Sequence, residues 1–135
     1  MISVALARQL RDGGLRWTPA PGDRFVVADR GMDDDVFTLA EMTTELHTHP
    51  AGTVIGFNGT VEWALDSVFA DEAVWLPSEA QLRELLRATV RSLTRSPGGD
   101  WTVTIEALGR TQTFLAADAA QAYGLALLHL VTAAS

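Results

Sequence analysis

The sequence predicts an α+β fold in which about three to four helices pack on an antiparallel sheet built from hairpins and a meander. Three observations lead to this class. Short segments rich in β-branched and aromatic residues alternate with turns that contain Gly or Pro. Three stretches carry apolar residues at helical spacing behind a capping residue, and the βαβ rhythm of a parallel sheet is absent. A length of 135 residues predicts a single domain covering residues 1–135.

The first half of the chain predicts one helix followed by short strands. Ser3 is positioned to cap the helix, and Gly13 with Gly14 ends it. The segments "LRWTP" and "RFVVA" flank the turn "APGD" and predict a hairpin, whereas "DRGMDDD" predicts an acidic loop. The later segments "VFTLAEM", "TELHT" and "TVIGFN" predict an antiparallel meander.

Residues 60–69 fit two secondary structures. Apolar residues at helical spacing, from Val61 to Val68, fit a short helix capped by Thr60. The alternation of Val61, Trp63 and Leu65 fits a strand instead. We favour the helix.

The segment "SEAQLRELLRATVRSL" predicts one long amphipathic helix. It opens with a capping box formed by Ser78 and Gln81. Arg83, Arg87 and Arg91 recur every four residues and so share one side of this predicted helix. Because guanidinium groups bind carboxylates through paired hydrogen bonds, we expect this side to dock an acidic protein partner or the acidic half of another copy. The alternative is a solvated helix face balanced by nearby acids.

The last third of the chain predicts a hairpin and a buried helix. The segment "WTVTIEALGRTQTFLA" alternates apolar and polar residues and turns near Gly109. Asp118 and Gln121 form a second predicted capping box for a helix that runs to about Thr132. The apolar surface of this helix is wider than one stripe. We therefore expect two sides of this helix to be covered. The sheet covers one side, and the other side is a candidate contact with a second subunit in a homodimer.

Two of the three histidines lie in a short motif with metal-ligand character. In a strand, Glu45, His47 and His49 lie on one face, and two imidazoles with a carboxylate are a common ligand set for Zn or Fe. His49 also precedes a proline at the predicted end of a strand, which favours an exposed turn. We favour the turn and expect no cofactor.

A second candidate site surrounds an Asn-Gly pair. Phe57, Asn58, Glu62 and Trp63 combine an aromatic ring, an amide and an acid around a tight turn and could form a small polar pocket. With the other tryptophans, this pocket is the basis of a small-molecule-binding hypothesis. Alternatively, the Asn-Gly segment is a turn that leads into a helix, and the tryptophans pack in the core or at its rim. We favour these two alternatives over a binding pocket.

Composition excludes several classes of function. The chain has no Cys, and its ten basic residues are all Arg, which excludes a Cys nucleophile, Schiff-base chemistry and the usual phosphate-binding loop. Residues 1–72 hold five Arg and twelve acidic residues and so carry the whole formal charge of −7. An acidic chain repels phosphate groups, so we expect no binding to nucleic acid or to membranes. No signal peptide is visible at the start of the sequence, which predicts a cytoplasmic protein.

The blocks "IGFNGTVEWALDSV", "WLPSEAQLRELL" and "AYGLALLHL", together with "LRDGGLRWTPAPGDRF", resemble a family of small actinobacterial proteins over nearly the whole chain. Members of this family are often labelled pilus-assembly proteins of the CpaE type. Proteins of that type belong to a larger ATPase-like class, whose phosphate-binding loop this chain lacks. The resemblance implies an actinobacterial source and a compact fold, and it implies no catalytic residue.

The sequence therefore predicts a non-enzymatic protein-interaction or regulatory module that forms a homodimer. The first alternative is a small metal-binding protein or metal-dependent enzyme that uses His47 and His49. The second is a small-molecule binder.

Overall fold

The computed structural model of the chain describes residues 1–27, 32–39, 44–49, 52–57, 67–69 and 73–134, with side chains described for 1–27, 35–39 and 73–134. These residues contain helices and antiparallel sheets, so the predicted α+β class is confirmed. The chain divides into two compact units. Unit 1 consists of Met1–Leu15 and Pro77–Ser135, and unit 2 consists of Arg16–Leu76.

The described helices all belong to unit 1, and the strands are divided between the units. The helices are α1 (Val4–Asp12), α2 (Glu79–Leu86) and α3 (Ala119–Ala133). The strands are β1 (Arg24–Val27), β2 (Met32–Thr38), β3 (Thr44–His49), β4 (Gly52–Phe57), β5 (Ser67–Phe69), β6 (Ala73–Leu76), β7 (Val90–Arg95), β8 (Trp101–Ala107) and β9 (Arg110–Ala116). They form three sheets with the orders β2-β1-β6, β3-β4-β5 and β7-β8-β9.

The central strand of the first sheet in unit 2 is β1. In β1, Phe25 lies opposite Phe37 of β2 on one side and opposite Trp75 of β6 on the other. The apolar residues of β1 are all buried, so both of its faces are covered. Residues 15–19 have no regular secondary structure, and the predicted hairpin of "LRWTP" with β1 is wrong. The reason is that β2 and β6 occupy both edges of β1.

The second sheet of unit 2 contains two of the three segments predicted to form one meander. The third segment, "VFTLAEM", begins in β2 of the first sheet, so that part of the prediction is wrong. Strand β3 pairs with β4 from Thr44 opposite Phe57 to His49 opposite Gly52. Strand β4 then pairs with β5 on its other edge. The predicted strands at "TELHT" and "TVIGFN" are therefore confirmed.

Two segments of unit 2 differ from the prediction. Strand β2 includes Asp33–Asp35, so the prediction of an acidic loop there is wrong. An edge strand tolerates charged residues, and β2 is an outer strand of its sheet. The helix favoured for residues 60–69 is wrong at Val68, because Val68 lies in β5 and pairs with Ile55 of β4. Residues 60–66 lie outside the described ranges.

In unit 1, hydrogen bonds join the N-terminal ends of α1 and α3. Ser3 caps α1, because its Oγ accepts a hydrogen bond from the backbone N–H of Leu6 at 3.1 Å. Asp118 caps α3 by accepting from the backbone N–H groups of Ala120 at 2.7 Å and Gln121 at 3.3 Å. The predicted box at Asp118 is only half formed, because Gln121 Oε1 accepts from the backbone N–H of Ser3 at 2.9 Å.

Helix α2 begins where the sequence predicts and ends earlier. The capping box is confirmed, since Ser78 Oγ accepts from the N–H of Gln81 at 3.2 Å and Gln81 Oε1 accepts from the N–H of Ser78 at 2.9 Å. The helix stops at Leu86, and Arg87 then adopts a φ of 52°. One turn of 3₁₀ helix follows before β7 begins, so the prediction of a helix reaching Leu93 is wrong.

Strand β7 forms because the residues after Leu86 suit a sheet. Val90 and Thr94 of this segment are β-branched, and such residues pack well on a pleated surface and lose χ1 freedom in a helix. Val90 lies opposite Ile105, and Leu93 lies opposite Val103, both of which are buried in β8. Pairing with β8 therefore outweighs the helical spacing of the leucines.

Helix α3 packs on several elements of unit 1. It contacts β8 and β9 of the sheet, and it also contacts α1 and α2. Gly124 allows the closest approach, because a Cβ there would lie 2.7 Å from Cδ2 of Leu6 in α1 and 3.2 Å from Cγ2 of Ile2, which precedes α1. The wide apolar surface of α3 is therefore covered from two sides within the chain. Its width alone does not require a second subunit.

Candidate functional site

The three residues predicted as metal ligands occupy alternate positions of β3. Glu45, His47 and His49 each pair with a residue of β4, and His49, the last residue of the strand, lies opposite Gly52. Their side chains lie outside the part of the chain for which side chains are described. Among the described residues, no group of three His, Cys, Asp or Glu side chains is placed to hold a metal ion. The metal site stays a prediction.

The predicted polar pocket falls almost entirely outside the described residues. Phe57 is the last residue of β4. Asn58, Glu62 and Trp63 lie outside the described ranges. The pocket therefore also stays a prediction.

The three arginines predicted to share one helix face lie in three different local structures. Arg83 lies in α2 and forms an ion pair with Glu79, with Nη1 3.7 Å from Oε2. Arg87 occupies the C-terminal cap of α2, and Arg91 lies in β7. The prediction of a single helical face is wrong, because the helix ends before Arg87.

Two arginines of β7 make contacts within the sheet of unit 1. Arg91 donates from Nε to Glu106 Oε2 of β8 at 3.3 Å and from Nη1 to the backbone oxygen of Ala88. The guanidinium carbon of Arg95 lies 5.3 Å from the ring centroid of Trp101, the residue opposite it in β8. These contacts orient both side chains along the β7 edge.

Trp17 and Trp75 form a stacked pair in unit 2. Their ring centroids are 6.4 Å apart with an interplanar angle of 10°, and Trp17 also lies 5.5 Å from the ring of Phe25. Trp17 Nε1–H donates to Asp23 Oδ2 at 2.9 Å. The indole N–H of Trp75 is buried without a hydrogen-bond partner among the described residues. Trp17 packs against the buried cluster around Phe25, which supports the packing role favoured from the sequence.

The sheet of unit 1 has one covered face and one open face. Val103 and Ile105 are buried on the face that α3 covers. Alternation along the strands places hydroxyl side chains, one glutamate and one leucine on the opposite face. We call this the open face, and it contains Ser92, Thr94, Thr102, Thr104, Glu106, Thr111, Thr113 and Leu115. Leu115 is 59 % exposed.

The tip of the β8–β9 hairpin exposes a second leucine. Leu108 and Gly109 form a two-residue turn with φ values of 55° and 75°, a pattern that normally selects Asn or Gly at both positions. Leu108 is 88 % exposed. The sequence predicts the turn from Gly109 but does not single out Leu108. The missed signal is an apolar residue at the first position of a two-residue turn.

The two outer strands of this sheet differ as edges. Strand β7 has an irregular register between Val90 and Ser92, and its exposed edge carries Arg91 and Arg95. Strand β9 pairs regularly with β8 along its whole length and has no charged residue or proline after Arg110. Bulges and charges prevent further strand pairing at a sheet edge. Of the two edges, β9 is therefore the one suited to accept another strand.

No family model, curated protein or solved structure matches this chain. Its described helices all fall short of the length and apolar character needed to cross a membrane.

Proposed function

We propose that this chain is a non-enzymatic protein-interaction module that binds a second copy of itself through the sheet of unit 1. The observation that carries the proposal is Leu108, a large apolar side chain that is 88 % exposed in a left-handed backbone conformation. Both properties disfavour Leu at this position in the isolated chain. A contact surface gives a physical reason for it.

The energies at Leu108 support a contact role. The left-handed conformation costs a residue with a Cβ roughly 1–2 kcal/mol. Full burial of a Leu side chain contributes about 1.5–3 kcal/mol, which the exposed residue forgoes. An Asn or Gly would remove the backbone cost, and the chain buries little of the Leu108 side chain that would be lost. Residues held in a strained backbone conformation cluster at functional sites, and this strain is what distinguishes Leu108 from an ordinary exposed leucine.

The distribution of charge is compatible with self-association. Unit 2 holds three Arg and eleven acidic residues, whereas unit 1 holds seven Arg and six acidic residues. The sheet of unit 1 therefore belongs to the nearly neutral part of an acidic chain. Two copies meeting through unit 1 avoid the repulsion that two copies of unit 2 would experience.

The first test is native mass spectrometry of untagged protein, supported by sedimentation at micromolar concentration. We expect a dimer for the unmodified chain. Leu108→Asn should raise the melting temperature, because Asn tolerates a positive φ, and should weaken the dimer, because it removes the apolar contact. These opposite changes separate a contact role from a structural one.

The matched control is Leu85→Gln, which removes another exposed leucine, 38 % exposed, from α2. We expect it to leave the dimer unchanged. A monomeric unmodified chain would overturn the proposal. So would a Leu108→Asn protein that dimerises as tightly as the unmodified chain.

The metal-binding alternative is tested in the same spectra. It rests on Glu45, His47 and His49 at alternate positions of β3. It predicts a metal-sized mass increment in untagged protein and the loss of that increment in His47→Ala. A bare protein whose melting temperature does not rise with added divalent ions would exclude it.

A further inference from the structure

We infer that the dimer forms through β9, with the β9 strands of two copies pairing antiparallel about a twofold axis at Thr113, so that the two sheets become one of six strands. This inference rests on the proposed self-association and deepens it. It names the edge, the register and the residue on the axis.

The first argument is that β9 lacks the features that protect an edge strand. Residues 111–116, "TQTFLA", contain no charge and no proline and are rich in residues with high strand propensity. Within the described residues, β9 pairs with β8 alone, which leaves the backbone groups of its outer edge available to another strand. Strand β7 has the opposite character, with an irregular register and two arginines.

The second argument is that β9 is compatible with its own copy in antiparallel register. Thr113 is the central residue of β9, so an axis through it gives the longest overlap. Thr111 then lies opposite Leu115 of the second copy, and Gln112 lies opposite Phe114 of the second copy. No charged residue faces a like charge in this register, and the Thr113 side chains of the two copies become a cross-strand Thr–Thr pair.

The third argument comes from the ends of the paired strands. Beyond β9, the same register brings Leu108 of one copy towards Asp118 of the other. The N-terminal ammonium of Met1 lies 3.1 Å from Asp118 Oδ2, and the Met1 side chain is 53 % exposed. The pairing therefore brings two exposed apolar side chains, Leu108 and Met1, to the same place. It also places the guanidinium of Arg110 near the Asp118 carboxylate of the second copy, which is a favourable pairing of charges.

The test places charge on the proposed axis. Thr113 is exposed on the open face, so Thr113→Lys and Thr113→Glu should both fold as the unmodified chain does. Each variant alone brings two like charges together at the axis, and we expect its dimer dissociation constant to rise about fivefold or more at low salt. Higher salt should reduce this difference, because it screens the repulsion.

A mixture of the two variants provides the decisive measurement. Only residues on the axis meet their own copy, so the introduced ammonium and carboxylate groups should pair. We expect native mass spectrometry of the mixture to show the heterodimer in excess over either homodimer. The matched control is Thr94→Lys, which adds the same charge at an exposed threonine on the β7 edge and should leave the dimer unchanged.

The outcomes separate this inference from the proposed function. A monomeric unmodified chain overturns both. A dimer that Thr113→Lys affects no more than Thr94→Lys overturns the inference and leaves self-association standing. A mixture of the Lys and Glu variants without an excess of heterodimer also overturns the inference.

Discussion

The indole N–H of Trp17 donates a hydrogen bond to the carboxylate of Asp23 at 2.9 Å, and the same carboxylate oxygen accepts from the backbone N–H of Ala20 at 3.1 Å. At 5 % exposure, Asp23 is the one buried polar or charged residue of the described part of the chain. Its backbone oxygen also accepts from the N–H of Leu39 at 2.9 Å. One residue thus ties the segment before β1 to the residue that follows β2.

Replacing this carboxylate should destabilise the protein. Asp23→Ala leaves two donors without their acceptor, one of them in a largely buried site, and we expect a loss of about 2–3 kcal/mol in the free energy of unfolding. Asp23→Asn keeps one acceptor oxygen and should lose less. Urea unfolding followed by tryptophan fluorescence measures both. Asp12→Ala, at an exposed ion pair with Arg11, is the control and should change stability by no more than about 0.5 kcal/mol. Equal losses for Asp23→Ala and Asp12→Ala would contradict the prediction.

Gly124→Ala should destabilise unit 1 although it places a better helix former in α3. Ala in place of Gly normally stabilises a helix by about 1 kcal/mol. Here the new Cβ would lie 2.7 Å from the buried side chain of Leu6, and we expect a net loss of about 1–2 kcal/mol. In a thermodynamic cycle, Leu6→Ala with Gly124→Ala should lose less stability than the two single changes added together.

Gly98→Ala is the control for this cycle. Its nearest neighbour would be Ser96 Oγ at 3.8 Å, an ordinary contact distance. We expect a change close to zero in chemical unfolding. Gly124→Ala could instead stabilise the protein by as much as the same substitution at an exposed helix position. In that case the close contact between Gly124 and Leu6 does not affect stability.

Arg87→Gly should stabilise the protein by about 1 kcal/mol, because a φ of 52° strains any residue with a Cβ and suits Gly. Arg83→Gly is the matched change within α2, and it should lose about 1 kcal/mol because Gly is a poor helix former. Thermal unfolding monitored by circular dichroism should therefore show shifts of opposite sign. Shifts in the same direction would contradict the conformation assigned to Arg87.

The stabilising effect of Asp118 should depend on pH. Burial raises the pKa of Asp118. Hydrogen bonds from the N-terminal ammonium and from the backbone N–H groups of Gln121 and Ala120 lower this pKa by more than burial raises it, so the pKa lies below its ordinary value. A lowered pKa in the folded state contributes stability above the unfolded pKa of about 4, and this contribution is lost as pH falls through the folded pKa. Asp118→Asn keeps a capping oxygen but has no charge.

Unmodified protein should therefore be more stable than Asp118→Asn at neutral pH. The difference should be only about 0.5 kcal/mol, because solvent screens the half-exposed Asp118 carboxylate. Below pH 4 the stabilities of the two proteins should converge. Asp118→Ala, which also lacks the capping oxygen, should be less stable than the unmodified chain at every pH. Urea unfolding at a series of pH values measures these differences. A gap between unmodified protein and Asp118→Asn that is equally large in acid would contradict the assignment.

The features predicted correctly from the sequence are those with local causes. Ser3 and Ser78 begin helices because their side chains cap the nearest backbone N–H groups, and such signals lie within three residues of one another. The hairpin near Gly109 is likewise specified by alternation on both sides of a short turn.

The errors arise where distant pairing decides the structure. The leucines from Leu82 to Leu93 have helical spacing, yet Leu93 pairs with Val103 and the helix stops seven residues earlier than predicted. The prediction that the arginines share one surface is wrong for the same reason, because it depended on that helix. Val68 is a similar case, because its strand partner Ile55 lies elsewhere in the sequence. No local sequence pattern shows which edge of a distant strand is free to pair with a given segment.

The bond between Ser3 and Gln121 joins residues 118 positions apart, so the first helix of unit 1 leaves the ribosome long before the helix on which it packs. Unit 2, by contrast, is one continuous segment, Arg16–Leu76, and can be completed while unit 1 is still being made. During synthesis, the buried side chains of α1 remain uncovered until α3 has emerged. A nascent chain stopped before α3 therefore exposes the apolar surface of α1 and is a natural substrate for the chaperones and proteases that act on unfinished proteins.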